Sequence, residues 1–200
     1  MEIRRIRIAS IGAETLAGVG DSRALGWLGR VLARTVTPEV EIESYVLASP
    51  GDTTEALSHR WETEALSRFS AHTDNRLVVA LPEHDANLEG SSARARLNLA
   101  NILDRAGQQG ISVLVVGPPP GLDEERNRRL DALNSAYHDV AERRDVPYVD
   151  TFTPLLGHEQ WRSDLAGGQG RPGQSGYGLL AWLVLHRGWY PWLGIAEPTS

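Results

Sequence analysis

A hydroxyl, an imidazole and a carboxylate held close together can transfer acyl groups or protons, and the chain offers several places where such groups gather. Ser22 closes the tripeptide Gly20-Asp21-Ser22, which by pattern alone is a nucleophile candidate. His84 stands in Pro82-Glu83-His84-Asp85, between two carboxyls. Histidine donates a hydrogen bond and also takes up and releases a proton near neutral pH. Arg171 lies in Gly168-Gln169-Gly170-Arg171-Pro172 and is a permanent cation, unable to act as a base. His158, with Glu159 and Trp161, makes a further polar and aromatic group. His59, His72, His138 and His186 show no metal-ligand spacing. The chain has no cysteine, which excludes thiolate metal sites and thiol nucleophiles, so no metal and no cofactor are expected.

Positioning these groups is the work of an alternating pattern of apolar and amphipathic runs, strand and helix in turn. Residues 3–11 and 40–47 read as strands, and 77–81, 111–116 and 147–149 are short β-branched runs of the kind buried on both faces of a parallel sheet. Helices are expected after Asp21 and Ser22, where Leu25, Leu28, Val31 and Leu32 recur at helical spacing, and over 53–69, 92–108, 122–143 and 176–186. Five strands alternating with five helices give one α/β domain over residues 1–200: a three-layer α/β/α, doubly wound sandwich around a five-stranded parallel sheet. Ligands in such folds lie beyond the carboxyl ends of the strands. That edge collects four loops, 12–20, 48–54, 82–87 and the long 151–175. The triple proline Pro118 to Pro120 stiffens a loop at the same edge, and the tail after Trp189 is expected to fold back over the surface or to join a partner.

In order and spacing, the four loops resemble the conserved blocks of the SGNH, or GDSL-type, hydrolase family over nearly the whole chain, and the resemblance implies a flavodoxin-like fold. Family members carry Gly-Asp-Ser directly after the first strand, a lone glycine after the second, Gly-x-Asn-Asp after the third, and Asp-x-x-His-Pro before the last helix. The serine is the nucleophile, the histidine its base, and backbone N–H groups with the asparagine amide hold the oxyanion. Ser22 comes about ten residues after the first strand ends at Gly12. Set against the family's Gly-Asp-Ser-Phe-x-x-Gly-x-Gly turn, the run Gly12-Ala13-Glu14-Thr15-Leu16-Ala17-Gly18-Val19-Gly20 puts Glu14 in the nucleophile's place, and leaves Asp21 or Ser22 as a helix cap.

The second block is present as Ser49-Pro50-Gly51-Asp52-Thr53-Thr54, with Gly51 placed to offer an N–H to the cleft. In the third, Pro82 replaces the glycine and His84 the oxyanion asparagine. In the last, the trailing Pro172 and Gly176-Tyr177 set Arg171 at the histidine and Gly168 at the aspartate. Asp150 resembles a structural aspartate of the family. The resemblance therefore implies a relative whose Ser-His-Asp triad has been replaced, with Glu14, His84 and Arg171 as catalytic candidates and Gly51, Pro82, His158 and Trp161 as binding candidates. Glu14 and Arg171 are expected to form a charge-assisted pair, Glu14 to act as base or acid with His84 as its proton-transfer partner, and Arg171 to anchor an anionic or oxygen-rich ligand.

Composition narrows the field further. Two hundred residues, 41% hydrophobic and 23% charged, are ordinary for a chain with a buried core. The formal net charge of −6 and the absence of a basic stripe argue against nucleic acid as partner and for a small-molecule ligand. No run approaches a membrane span and the N-terminal residues lack an apolar signal core, so a cytoplasmic protein without a membrane partner is expected, with oligomeric state open. The leading expectation is an enzyme of small-molecule metabolism, of the natural-product tailoring kind, working by acid–base chemistry: cyclisation, isomerisation, elimination or epoxide opening. The alternatives are a non-catalytic binding relative of the hydrolases and a conventional esterase acting through Ser22.

Overall fold

The computed structural model describes residues 3–35, 37–87 and 91–197. Its β-branched runs form β1 (Arg4–Gly12), β2 (Val40–Ala48), β3 (Asp74–Ala80), β4 (Ser112–Val116) and β5 (Tyr148–Val149). They make one sheet in the order β2-β1-β3-β4-β5, with every pairing parallel. Register brings Ile11 between Leu47 and Val79, and Val79 beside Val115, so the strand ends that face the loops lie at one level.

Alternation along the strands divides the core in two. Ile6, Ile8, Val78, Leu114 and Val149 face one side, under α2 (Gly26–Arg34) and α8 (Gln174–Val184). Ala9, Ile11, Leu77, Val79 and Val115 face the other, under α3 (Thr54–Leu66), α4 (Ser91–Gln108) and α5 (Glu124–Glu142). The expected five-stranded α/β/α architecture is therefore present.

The helix inventory is richer than the periodicity suggests. A single turn, α1 (Glu14–Ala17), follows β1, and a 3₁₀ turn spans Glu83–Asn87. The stretch expected as a long loop over 151–175 carries α6 (Phe152–Leu156) and α7 (Glu159–Gly167). These are short and contain Pro154 and Gly167, so their helical spacing is hard to see in sequence.

The expected closing helix begins at Gln174, continues through the π-helical segment Leu185–Trp189, and ends in α9 (Tyr190–Leu193). The tail does fold back: Trp192 and Leu193 are buried, Arg4 donates to the Leu193 carbonyl, and the Arg76 guanidinium lies 5.3 Å from the centre of the Trp192 ring. Its last three residues, 198–200, lie outside the described residues. Trp27, Trp161 and Trp189 are core residues, whereas Trp182 is exposed and packs on His186. Among the described residues, no helix is long and apolar enough to cross a membrane.

Candidate active site

At the end of β1 the chain turns at Gly12, where an added Cβ would lie 3.0 Å from both the Ala80 and the Leu16 Cβ atoms. A side chain there would crowd both neighbours. Two residues on, Glu14 opens α1, and its carbonyl accepts the N–H groups of Gly18 and Val19, closing the turn on itself. Gly18 has φ +73°, the left-handed conformation that ends a helix. The Glu14 side chain is thereby held at the carboxyl edge of the sheet.

Two other loops meet it there. The Gly51 N–H donates to Glu14 Oε1 at 2.9 Å, and His84 Nε2 lies 2.7 Å from Glu14 Oε2. Gly51 has φ +90°, a conformation that points its N–H at the carboxylate and that a side chain would strain. Both side chains of the pair remain reachable from solvent, 29% exposed for Glu14 and 27% for His84. Burial raises the Glu14 pKa, but the hydrogen bonds from His84, from its own backbone N–H and from Gly51, with the charge of His84, outweigh this and leave it below the ordinary carboxylate value. With Glu14 ionised, Nε2 carries the imidazole proton, and Nδ1 has no hydrogen-bond partner among the described residues.

Side chains that the sequence reading did not single out hold this corner together. Arg60 of α3 donates to Asp52 at 2.7 Å, to Glu64 at 3.0 Å and to the Gly12 carbonyl at 3.2 Å, locking the Gly51 loop to the end of β1. Asp85, 3% exposed, accepts from the Thr54 backbone N–H at 3.1 Å and hydroxyl at 2.9 Å, fastening the turn that carries His84 to the start of α3. Burial raises its pKa, opposed by these bonds and by the Tyr137 hydroxyl. Arg126 and Arg129 of α5 brace the same turn from the other side through the carbonyls of Glu83 and Ala86. No sequence signal marks Arg60, whose partners lie forty-eight and eight residues before it and four after.

The other expected site residues are placed differently. Arg171 does not pair with Glu14. A turn closed by the Arg171 N–H on the Gly168 carbonyl (3.1 Å) sends the side chain outward, where it is exposed and has no ion-pair partner among the described residues. Its Cβ instead sits beside Gly20. Gly168 is part of that turn, since a Cβ there would lie 2.1 Å from the Arg171 carbonyl oxygen. The loop is anchored by Asp164, whose carboxylate accepts from the N–H groups of Gly173 (2.6 Å) and Gly176 (2.8 Å) at the start of α8.

His158 is the N-cap of α7: its Nδ1 accepts from the Trp161 N–H, and the residue is otherwise exposed. Trp161 is 1% exposed and belongs to the core, its indole donating to the Pro120 carbonyl at 3.0 Å, so it ties down the triple proline and does not line the cleft. Pro82 is likewise buried. Asp150 accepts from Asn134 and from the N–H groups of Phe152 and Thr153, a structural role as expected.

Gly20-Asp21-Ser22 lies in the loop ahead of α2, whose N-cap is Leu25 and not Asp21 or Ser22. The Asp21 carboxylate accepts from the N–H groups of Arg23, Leu25 and Gly26 and pairs with Arg30. The Arg30 hydrogen bond, working against burial, brings the Asp21 pKa down to about 2. Ser22 is exposed and accepts a hydrogen bond from Gln174 (2.8 Å) at the start of α8. Among the described residues, no group of three or more histidine, aspartate or glutamate side chains is placed to hold a metal.

The fold and these loops have solved counterparts. A lipase/acylhydrolase from Enterococcus faecalis superposes with a TM-score of 0.71 at 21% identity, covering 99% of this chain and 100% of that one. Axe2, an acetylxylan esterase from Geobacillus stearothermophilus, gives 0.74 at 17% identity, covering 96% and 97%. TesA gives 0.73 at 19% identity, covering 94% and 97%. No curated protein sequence matches this chain. At these identities the superpositions speak for the fold, an α/β sandwich shared with SGNH esterases. The family profile reaches further, matching residues 10–179, and with most of the chain accounted for, the chain belongs to the GDSL-like lipase/acylhydrolase family.

Proposed function

We propose that this chain is a small-molecule enzyme of the GDSL-like family that works by proton transfer at the Glu14–His84 pair and not through a serine triad. The observation that carries the reading is the 2.7 Å contact between Glu14 and His84 at the carboxyl edge of the sheet, with both groups accessible to a ligand. The order of roles is the reverse of that expected from sequence. A carboxylate whose pKa is pulled down is a weak base, whereas efficient proton transfer needs a group whose pKa lies near the working pH, the ordinary range of histidine. His84 is then the proton-transferring group, acting through Nδ1, and Glu14 holds the ring and stabilises the imidazolium that forms when a ligand proton is taken.

The reaction classes that fit are those a single base and its conjugate acid can run: elimination, isomerisation, cyclisation or epoxide opening. Natural-product tailoring is the context in which such chemistry would be used. Arg171, turned outward beside Gly20, has no part in the pair in this reading. Ser22 lacks a base within its hydrogen bonds and is not a nucleophile.

A second reading rests on one specific observation. Both Glu14 oxygens are already engaged, Oε1 by the Gly51 N–H and Oε2 by His84, so the carboxylate fills the donors that would otherwise face a ligand. In that case the cleft is a self-satisfied binding site without chemistry.

The test uses a generic base probe. Nitrobenzisoxazole loses its C–H proton to the base as the ring N–O bond breaks, releasing a coloured cyanonitrophenolate. Turnover that is lost in His84→Asn supports the proton-transfer reading. A parent protein that fails to beat buffer on this probe and on a panel of small epoxides supports the binding reading. Hydrolysis of p-nitrophenyl butyrate, or fluorophosphonate labelling at Ser22, overturns both.

A further inference from the structure

Beneath the Glu14–His84 pair lies a second carboxyl that neither reading uses. Glu83 precedes His84 in the 3₁₀ turn, and its Oε2 is enclosed by protein with no hydrogen-bond partner among the described residues. An ionised carboxylate there would lose the hydration of one of its two oxygens with nothing to replace it, which favours keeping the proton on. The surroundings do not supply enough positive charge to reverse this. Arg126 of α5 approaches from one side but spends its hydrogen bonds on the Glu83 carbonyl and on Asn87. From α1 comes Glu14, a like charge. From α8 comes Tyr177, fully buried, whose hydroxyl is committed to the Val19 carbonyl. On its own turn Glu83 has His84 and the buried Asp85, the latter held by Thr54. The packed start of α4 carries Arg94 and Arg96, and Arg96 is paired with Asp139.

We propose that Glu83 is a positioning residue of the site, a carboxyl held in its neutral, protonated form under the Glu14–His84 pair so that His84 faces one carboxylate and not two. The inference rests on the proton-transfer reading for its purpose, though not for its test. Two ionised carboxylates around one imidazole would hold it as imidazolium and remove it from proton transfer. With Glu83 neutral, Glu14 alone balances the ring, and His84 stays free to exchange its proton. Burial raises the Glu83 pKa while Arg126 and His84 oppose it, in the direction opposite to the shift of Glu14. Neighbouring carboxyls pushed apart in this way divide into a charged and a neutral member at one pH.

The experiment is read on the protein itself, without substrate. The infrared difference spectrum of the parent against Glu83→Gln at neutral pH is expected to contain the C=O stretch of a protonated carboxyl. The ring titration of His84, followed by NMR, is expected to keep its midpoint in Glu83→Gln, because an amide replaces a neutral group. A carboxylate band pair in the difference spectrum, or a fall of the His84 midpoint by one unit or more, overturns the proposal. If Glu83→Gln does not fold, carbon-13 titration of the glutamate carboxyls in the parent decides the matter: one glutamate titrating well above the rest supports it, and all of them titrating together overturns it. A neutral Glu83 in a protein that turns over no probe would leave this inference standing while the proton-transfer reading falls.

Discussion

The two halves of the sheet's carboxyl edge are built on different principles. On one side, the loops after β1, β2 and β3 are joined by side chains that cross between them: Glu14 to the Gly51 N–H and His84, Arg60 to the Gly12 carbonyl and Asp52, Asp85 to Thr54. On the other side, the loop ahead of α8 is fastened to its own segment, through the Asp164 carboxylate and its own backbone. Asp164 collects the N–H groups of Gly173 and Gly176, the Gly168–Arg171 turn closes on itself, and Arg171 points away. In the first half, altering a side chain changes what faces a ligand. In the second, altering one changes whether the loop keeps its shape.

The largest effect expected from this contrast is on chemistry in the first half. His84→Asn keeps a hydrogen-bond donor toward Glu14 but cannot titrate, so turnover of the base probe should fall by about 10²–10⁴-fold with little change in melting temperature. Glu14→Gln should cost less, and should move the midpoint of the pH–rate profile to lower pH, because the imidazolium loses its anionic neighbour. Equal rates for parent and His84→Asn would remove the reason to treat this half as the reactive one.

Next in size is an effect on stability in the second half. Asp164→Ala leaves two backbone N–H groups at the start of α8 without their charged acceptor. Hydrogen bonds to charged groups are worth about 1.5–3 kcal/mol each, and water recovers part of that at a half-buried site, so a loss of about 2–3 kcal/mol is expected in urea unfolding. Probe turnover per folded molecule should be retained. A variant that folds as well as the parent but turns over poorly would mean that the α8 loop does reach the chemistry.

How far these features could be read from the sequence follows the same division. The strands were legible because runs such as Leu77-Val78-Val79-Ala80 are apolar on both faces, which only a covered parallel sheet tolerates. That the loops carrying Glu14, Gly51 and His84 share an edge was legible from loop order in a doubly wound sheet, and which of their residues meet was implied by the family resemblance. The direction of Arg171 was not, since it depends on the tight turn at Gly168, and a motif register places a Cα without aiming its side chain. The cap at His158 and the burial of Trp161 are not legible for a related reason: the short helix α7 they begin has no visible periodicity, and both follow from that helix. Glu83 carries no sequence signal, because an acidic residue in a loop is ordinarily solvated and only the enclosure of its Oε2 makes it unusual.

A smaller effect concerns pH. Asp21, with its side chain fully buried against Arg30, titrates at about 2 in the folded protein, below the ordinary aspartate value. A depressed folded pKa contributes stability that is fully present above the unfolded value of about 4 and is lost as pH falls toward 2, here amounting to about 1–2 kcal/mol. Urea midpoints for the parent should therefore drop between pH 5 and pH 2 by more than those of Asp21→Asn, which has no such proton to bind. Parallel curves for the two proteins would show that the Arg30 pair does not distinguish the folded from the unfolded chain.

The smallest effect sharpens the comparison most. Arg171 is the residue for which motif register and side-chain direction disagree, and Arg171→Ala asks which of them governs. Exposed, with only its backbone engaged in the Gly168 turn, its side chain should be worth no more than about 0.5 kcal/mol to the fold. Its loss should leave probe turnover within about twofold, because a solvated guanidinium without an ion-pair partner among the described residues contributes little to a pair formed without it. An anionic probe is the one condition under which Arg171 should be felt, through steering over a distance that salt shortens to about 8 Å at physiological ionic strength. A variant whose turnover of a neutral probe falls tenfold or more would mean that the loop swings in when a ligand binds and brings the guanidinium to Glu14, and the outward turn would then be the resting position of a mobile half of the site.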